Sequence, residues 1–274
     1  MPELPEAETI ARGLDAAIAG RRIERIKIHR DEVVEPMSPA AFRRGLRGRR
    51  VLSVGRRAKW IAALLDDGGR WVTQLRMTGR FTWAPPSPLR SEAHLSASFV
   101  IEDDGGVIRF YDTRRFGRMW VLDEDEWAEL DARLGVEPLS ERFTPRLLAD
   151  LLSNSRAPVR NFLLDQKRIA GVGNIYAVEA LFRARIDPRR PARCLDRNDV
   201  RRLHNAIRSV LSAAVDRRGT TFSDYRDVLG AGGGFQNALK VYDSEGEECL
   251  RCGGTIERCV LAGRSAYFCP DCQR

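Results

Sequence analysis

The sequence has no run of apolar residues long enough to span a membrane, which takes about 20 consecutive positions. We expect no secretory signal, because the first residues, MPELPEAETI, are acidic and hold no basic segment before an apolar core. No motif recurs at a period of about 20–50 residues, which excludes repeat architectures. We therefore expect a cytoplasmic, globular protein.

Lysine is scarce, with four among the 46 basic residues, yet basic residues outnumber the 38 acidic ones and give a net charge of +8. The excess is uneven. Residues 1–136 hold 23 basic and 21 acidic residues, whereas residues 137–274 hold 23 and 17. A basic surface is typical of proteins that bind polyanions, although many mildly basic proteins bind none. The second half is the better candidate for contact with a nucleic-acid backbone.

Four of the six cysteines form two closely spaced pairs, Cys249 with Cys252 and Cys269 with Cys272, separated by sixteen residues. This spacing is typical of a four-cysteine zinc ribbon. Four protein ligands leave no open position for water, so one structural zinc ion is expected. Disulfides or a redox motif are the alternatives, and a cytoplasmic chain disfavours disulfides. The other two cysteines, Cys194 and Cys259, are expected to be buried or half-buried.

The length of 274 residues suggests more than one domain. Hydrophobic periodicity predicts an α+β fold. An amphipathic helix over residues 5–19 precedes short strands from about 22 to 122, with hairpin tips at 66–69 and 103–106 and a proline-rich loop at 84–88. Helices are predicted over 144–152, 159–165, 175–183 and 196–215. The predicted domains are a β-sandwich (1–134), a linker (135–143), a helical domain (144–236) and the zinc ribbon (237–274).

The N-terminus offers a candidate nucleophile. Removal of Met1 would leave Pro2 with a secondary amine, and α-amino groups titrate at about pH 7.7–8.0. Such an amine attacks an aldehyde-level carbon and forms an iminium ion. Glu3 and Glu6 lie close in sequence and supply carboxylates for proton transfer. The alternative is structural, since proline and acidic residues also favour a helix start.

Several segments together resemble the formamidopyrimidine-DNA glycosylases, bacterial repair enzymes for oxidised purines. The resemblance covers nearly the whole chain and rests on MPELPE (1–6), RRAKW (56–60), LRMTG (75–79), RRFG (114–117), LLDQKRIAGVGNIYAVEALF (163–182), GGGFQNALKVY (232–242) and the final CPDCQR. It implies a catalytic β-sandwich domain, a helix–two-turn–helix DNA-binding domain and a zinc ribbon. It also implies damaged double-stranded DNA as partner and no cofactor besides zinc. We expect a monomer, because the sequence shows no self-association motif.

The resemblance implies a bifunctional glycosylase and AP lyase. Pro2 would attack C1′ of the damaged nucleotide and displace the base, and the iminium would permit β- and then δ-elimination. Glu3 would be the acid/base residue, Glu6 a supporting carboxylate, and Lys59 would reach phosphate or lesion. Without the resemblance, an exposed hairpin lysine is the better interpretation of Lys59, because charged surface residues are usually only solvated.

The resemblance also implies DNA contacts. Met77, Arg114 and Phe116 would enter the duplex where the damaged base is flipped out, although in isolation Met77 and Phe116 are typical core residues. Asn174 would cap a helix beginning at Ile175 and meet the DNA backbone. Arg264, in the hairpin between the cysteine pairs, would bind phosphates next to the lesion.

Three features leave questions open. Gln74 stands where the family usually has histidine, and Arg160 where lysine is usual, which leaves the fine lesion preference open. The glycine-rich segment 220–236 fits either a lid over the flipped base or a linker. The alternative functions are an oxidised-pyrimidine glycosylase of the endonuclease VIII type, which Leu4 disfavours, and a DNA-lesion-binding protein without catalysis.

Overall fold

The computed structural model describes residues 2–84, 93–102, 106–222 and 225–274. The chain divides into two compact units. The first comprises Met1–Ala132 and Arg217–Gly234, and the second comprises Arg133–Asp216 and Phe235–Arg274. None of the helices in the described ranges is long and apolar enough to cross a membrane.

The first unit contains two four-stranded antiparallel sheets, which confirms the predicted β-sandwich. One sheet has the strand order β1-β6-β7-β5 and the other β2-β3-β4-β8. The strands are β1 (Ile23–Ile28), β2 (Val51–Arg57), β3 (Trp60–Leu65), β4 (Arg70–Gln74), β5 (Gly79–Ala84), β6 (Leu95–Ile101), β7 (Val107–Asp112) and β8 (Arg118–Leu122). Along β3, buried residues alternate with half-buried ones, which is the period of two expected of a strand with one face in the core.

Helix α1 (Leu4–Ile18) confirms the predicted N-terminal helix. Its buried face includes Ile10, Leu14 and Ile18, which belong to the core formed with both sheets. Gly20, at φ +82°, follows the helix end as the sequence predicted.

Two further helices of this unit, α2 (Pro39–Leu46) and α3 (Glu124–Ala132), were not predicted. The signal for α2 was present, because the Ser38 hydroxyl accepts the Ala41 N–H at 3.1 Å and Pro39 opens the helix. Its eight residues are too few to show a clear helical period.

Residues 217–222 and 225–234 pack within the first unit, although the predicted domain boundaries place them with the helices. Val228 is buried in the core of this unit, and its carbonyl accepts the Trp83 N–H at 2.8 Å. A Cβ atom on Gly13 of α1 would lie 2.5 Å from the Val228 side chain. The absence of a side chain at Gly13 thus lets the segment approach α1 closely.

The second unit contains four α-helices and a β-hairpin, with elements α4 (Pro145–Ser153), α5 (Val159–Leu164), α6 (Asn174–Ala184), α7 (Arg197–Asp216), β9 (Glu257–Leu261) and β10 (Arg264–Phe268). The four predicted helices are confirmed to within two residues at each end. Thr144 caps α4 by accepting the Leu147 N–H at 3.2 Å, and Pro145 opens the helix. Helix α6 is central, since all but two of its residues are buried.

The hairpin tip at 66–69 is confirmed between β3 and β4, with Gly68 at φ +86°. Most of the predicted tip at 103–106 and of the loop at 84–88 lies outside the described residues. One expectation is wrong, because Cys194 is exposed; it lies in a short 3-10 turn, and Cys259 is half-buried as expected.

Candidate active site and anion-binding residues

Two carboxylates are fixed at the start of α1, directly after Pro2. Glu3 is the N-cap residue and Glu6 the third helical residue, and each is only 2% exposed. Glu6 Oε2 accepts the Glu3 N–H at 2.8 Å, as in a capping box. The predicted nucleophile and its two predicted carboxylates therefore share one helix terminus.

Glu6 also binds the segment 217–222. Its Oε1 accepts the Thr220 N–H at 2.7 Å. The neighbouring Gly219 has φ +79°, and a Cβ atom there would lie 2.6 Å from Glu6 Oε1. Only glycine satisfies both the left-handed conformation and this close approach. Sequence reasoning noted the glycine-rich segment but missed Gly219 and Thr220 as partners of the carboxylate.

Two more contacts hold this segment against the same unit. The Thr221 hydroxyl accepts the Gly233 N–H at 2.8 Å and so joins the segment to the glycine-rich residues that follow it. The Tyr225 hydroxyl donates to the Arg218 carbonyl at 3.0 Å. Burial, together with the negative charge of Glu6, raises the pKa of Tyr225 well above its ordinary value.

Lys59 lies half-buried in the two-residue turn between β2 and β3. Arg56 ties this turn to α1, because its Nε contacts Glu8 Oε2 at 2.9 Å and its Nη1 donates to the Ala58 carbonyl at 2.9 Å. Burial alone would raise the pKa of Glu8, but Arg56 and Arg12 hold it below the usual range. Lys59 is therefore attached, through Arg56, to the helix that begins after Pro2.

Met77, Arg114 and Phe116 lie on two loops, one between β4 and β5 and the other between β7 and β8. Met77 is 40% exposed and Phe116 49% exposed. The Arg114 guanidinium stacks over the Phe116 ring at 4.8 Å. Met77 and Phe116 are therefore exposed and available for contact, although residues of these types are typically found in the core.

The two loops are joined by Asp112, a buried carboxylate at the end of β7 that sequence reasoning missed. It accepts hydrogen bonds from the Thr78 hydroxyl, from the Arg114 N–H at 3.2 Å and from the Gly117 N–H at 2.6 Å. The Thr78 hydroxyl in turn accepts the Arg114 N–H at 3.0 Å. The loop carrying Met77 and the loop carrying Arg114 and Phe116 are thus fixed relative to each other.

In the second unit, Asn174 is the first residue of α6 and Gly173 is the N-cap, so the predicted capping role is corrected. Asn174 Oδ1 accepts from Arg160 Nη2 at 2.6 Å, and its Nδ2 donates to the Ser265 carbonyl at 3.0 Å. These partners occupy the side chain in place of the helix N–H groups. Asn174 therefore connects the helix start to β10.

Arg264 is exposed at the start of β10. The turn before it consists of Ala262 and Gly263, both with positive φ, at +46° and +73°. Two positive-φ residues are characteristic of the tight turn that matches the twist of a hairpin. The turn places Arg264 at the tip of the hairpin. Asn174 and Arg264 are brought together through Ser265, which follows Arg264 in the chain.

The four predicted metal ligands form one cluster, with the Sγ atoms of Cys249, Cys252, Cys269 and Cys272 all within 4.8 Å of one another. Two of these pairs are separated by 3.5 and 3.9 Å. A tetrahedral zinc ion with Zn–S bonds of about 2.3 Å would place its ligands about 3.8 Å apart, so the cluster fits. Burial would raise the pKa of Cys249, but backbone N–H groups and neighbouring thiols lower it to about 7. The donor set is that of a structural metal site.

The two departures noted in the sequence have different surroundings. Gln74 ends β4 and is half-buried, paired across the sheet with Trp60 on one side and Arg118 on the other. Arg160, in α5, is almost completely buried, at 1% exposure.

Comparison with known proteins gives matches along most of the chain. Residues 1–119 match the formamidopyrimidine-DNA glycosylase N-terminal domain, residues 134–226 the formamidopyrimidine-DNA glycosylase H2TH domain, and residues 246–274 the zinc finger found in FPG and IleRS. The formamidopyrimidine-DNA glycosylase of Chloroflexus aurantiacus is 46% identical over 275 residues, which cover 100% of this chain and 98% of that protein.

Solved structures agree. The complex of a Lactococcus lactis FPG mutant with a Fapy-dG containing DNA has a TM-score of 0.92 and 32% identity, and each chain is covered completely. A MutM structure in complex with carbocyclic 8-oxo-G containing DNA also has a TM-score of 0.92 and 32% identity, with complete coverage of both chains.

Proposed function

This chain belongs to the formamidopyrimidine-DNA glycosylase family, and on that premise we propose how its own residues perform the reaction. The protein is a DNA glycosylase with AP-lyase activity that excises oxidised purines from duplex DNA. The purines are formamidopyrimidines and 8-oxoguanine, the lesions present in the DNA of the two solved complexes.

Pro2 is the proposed nucleophile. After Met1 is removed, the amine of Pro2 attacks C1′ of the damaged nucleotide, the glycosidic bond breaks, and the base leaves with its electron pair and a proton. The product is an iminium ion between Pro2 and the opened sugar. Loss of a C2′ proton then expels the 3′ phosphate, and a second elimination expels the 5′ phosphate.

Glu3 is the proposed acid/base residue. It follows Pro2 directly in the chain and is the N-cap residue of α1. Its burial limits proton exchange between its carboxyl group and bulk water. A proton delivered to the sugar ring oxygen would open the ring, and the resulting carboxylate would stabilise the iminium ion. The observation that carries this proposal is the pair of buried carboxylates beside the residue that becomes the N-terminal amine.

Glu6 is the proposed supporting carboxylate. It holds the Glu3 N–H and the Thr220 N–H with different oxygens, so it fixes the helix start and the segment 217–222 at once. Lys59 is proposed to contact the lesion or a phosphate next to it, from the turn that Arg56 ties to α1.

The two loops joined by Asp112 are proposed to fill the gap left by the flipped base. Met77 and Phe116 are exposed apolar side chains that can enter the base stack. Arg114 is proposed to donate hydrogen bonds to the base opposite the lesion. Its stacking on Phe116 orients the guanidinium for that contact.

The second unit is proposed to hold the DNA backbone. Asn174 and Arg264 contact phosphates next to the lesion, and a single zinc ion at the four cysteines keeps the ribbon hairpin folded. Binding weakens as salt concentration rises, because each phosphate contact adds about −0.9 to the slope of the logarithm of the binding constant against the logarithm of salt concentration. We further propose that the protein acts as a monomer in the bacterial cytoplasm.

Borohydride trapping on an 8-oxoguanine·cytosine duplex tests the proposal, with intact mass measured before and after. Loss of Met1 and a covalent adduct on the N-terminal peptide would support Pro2 as nucleophile, and P2G should greatly reduce the adduct. A normal adduct on protein that keeps Met1 would refute that assignment. A thymine glycol duplex trapped faster than 8-oxoguanine would favour an endonuclease VIII type of specificity. Tight binding with no cleavage of either duplex would favour a non-catalytic binder.

A further inference from the structure

We infer that Arg160 is a positioning residue that joins Asn174 and the Arg264 hairpin into one phosphate-binding unit. The inference rests on the phosphate contacts proposed above for these two residues. Arg160 itself does not need to touch DNA, because it is almost completely buried in α5.

The guanidinium of Arg160 makes hydrogen bonds to three separate segments. Its Nε and Nη2 donate to Asn174 Oδ1 at 3.1 and 2.6 Å, at the start of α6. Its Nη1 donates to the Leu261 carbonyl at 3.0 Å, and its Nη2 to the Ser265 carbonyl at 3.1 Å. A fifth bond joins Nη1 to Asn161 Oδ1 at 3.0 Å.

The two carbonyls lie on either side of the hairpin tip. Leu261 ends β9, and Ser265 follows Arg264 in β10, so the three residues between the bonded carbonyls are Ala262, Gly263 and Arg264. A planar guanidinium that donates to both sides of a turn limits the rotation of that turn. Asn174 also donates to the Ser265 carbonyl, which completes a closed network.

The charge of Arg160 adds to the same site. No carboxylate of the described residues forms an ion pair with this side chain, and its acceptors are neutral carbonyl and amide oxygens. Burial lowers the pKa of Arg160, and the positive charge of Arg264 lowers it further. Arg160 and Arg264 thus lie close together, and neither forms an ion pair with a carboxylate in the described part of the chain. A DNA phosphate at Asn174 and Arg264 would supply the missing negative charge.

Arginine is better suited to this task than lysine would be. A lysine has three donors on one nitrogen, whereas the guanidinium presents five donors in a fixed plane. The five bonds observed here reach four acceptor groups that one ammonium group cannot contact together. R160K is therefore expected to retain the charge but to lose part of the coupling.

The test combines R160M, R160K and R264A in binding measurements on a duplex that carries a tetrahydrofuran abasic analogue. We expect R160M to weaken binding about 10- to 100-fold and R160K less. The slope of the logarithm of the binding constant against the logarithm of salt concentration should become shallower in R160M by about 0.9, the value for one phosphate contact. The same change is expected for R264A. The double variant R160M/R264A should bind little more weakly than R264A alone, because both act through the same phosphate contact.

R208M is the matched control. Arg208 in α7 also joins segments of the second unit, since its Nη1 donates to the carbonyls of Pro138 and Ser140 at 3.1 and 2.8 Å. R208M should lower thermal stability and leave the salt slope unchanged. Hydrogen exchange of the amides of residues 262–265, measured without DNA, should accelerate in R160M and not in R208M.

Two results would overturn the inference. One is that R160M leaves the dependence of binding on salt concentration unchanged, while the losses of binding free energy in R160M and R264A add up in the double variant. The other is equal exchange at residues 262–265 in R160M and wild type. Failure of the proposed function would show differently, as wild-type protein that neither binds the duplex nor traps on it, and the exchange experiment would still decide whether Arg160 holds the hairpin.

Discussion

The functional residues of the two units are held in place by groups of opposite charge. In the first unit, the buried carboxylates of Glu6 and Asp112 collect backbone N–H groups and fix the helix start and the two exposed loops. In the second unit, the buried guanidinium of Arg160 collects oxygens and fixes Asn174 and the hairpin.

The difference follows the charge of the species that each unit is proposed to meet. The iminium ion proposed at Pro2 would be stabilised by the carboxylates of the same helix start. The phosphate proposed at Asn174 and Arg264 would be stabilised by nearby cations. The groups that organise each site thus also favour its chemistry. Changes at the start of α1 should affect the rate of excision, and changes at the phosphate-binding residues of the second unit should affect DNA affinity.

Glu179 limits this comparison to the functional residues. This buried carboxylate of α6, in the second unit, accepts the N–H groups of Lys240, Val241 and Tyr242 at 2.9 to 3.0 Å. Burial raises the pKa of Glu179, and these three donors oppose the rise. Its role is to hold residues 240–242, at the start of the predicted ribbon, where Val241 belongs to the hydrophobic core around the cysteines.

The largest expected effect comes from E3Q, which keeps the size of the side chain and removes its acid/base function. Base excision in single-turnover experiments should slow by about 10²- to 10⁴-fold. Affinity for the abasic-analogue duplex should stay within a few-fold of wild type. E24Q, on an exposed position of β1, is the control. Excision by E3Q at the wild-type rate would remove Glu3 from the mechanism.

The converse result is expected for C269S, which removes a buried ligand of the four-cysteine cluster. Metal content should fall, because structural zinc supplies folding free energy to its domain. DNA affinity should drop about 10- to 100-fold as Arg264 loses its fixed position. C259S, in β9 but outside the cluster, should retain the metal, as measured by elemental analysis. Full affinity of metal-free C269S would break the proposed division between the two units.

G219A tests the contact between Glu6 and the segment 217–222. The new Cβ would meet Glu6 Oε1 and the residue would need a positive φ, so unfolding free energy should fall by about 1–3 kcal/mol. Excision should slow as well. G230A separates the two causes, because Gly230 also has positive φ, at +90°, and has no atom within 4 Å of the added Cβ. An equal loss of unfolding free energy in both variants would show that backbone strain alone matters and that the contact with Glu6 does not.

The smallest effect is expected for E8Q. The pKa of Glu8 is lowered in the folded protein, so its ionised form adds stability above its unfolded pKa, and this contribution is lost as pH falls through the folded pKa. At neutral pH, E8Q should lose about 0.5–1 kcal/mol, because the Glu8 side chain is still 23% exposed. The difference from wild type should vanish in thermal unfolding well below pH 4. A constant difference across pH would argue against the ion pair with Arg56 as its source.

Much of the fold could be predicted because its signals are local. The period of α1, the Thr144-Pro145 start of α4 and the cysteine spacing each lie within about 25 residues of sequence. Helix α2 was missed because it is only two turns long. The roles of Asp112 and Arg160 could not be predicted, since a carboxylate or guanidinium has no periodic pattern that identifies its partners.

The two kinds of domain, the four-cysteine cluster and the chemical groups available to the site follow from the amino-acid sequence, because they depend on residue type and short spacing. Which of these groups meet depends on the packing of the folded chain. The bond from Glu6 to Thr220 spans 214 residues, and that from Arg160 to Ser265 spans 105. Contacts at such separations form only when the sheets and helices pack, so the partners of each buried charge are set by the fold.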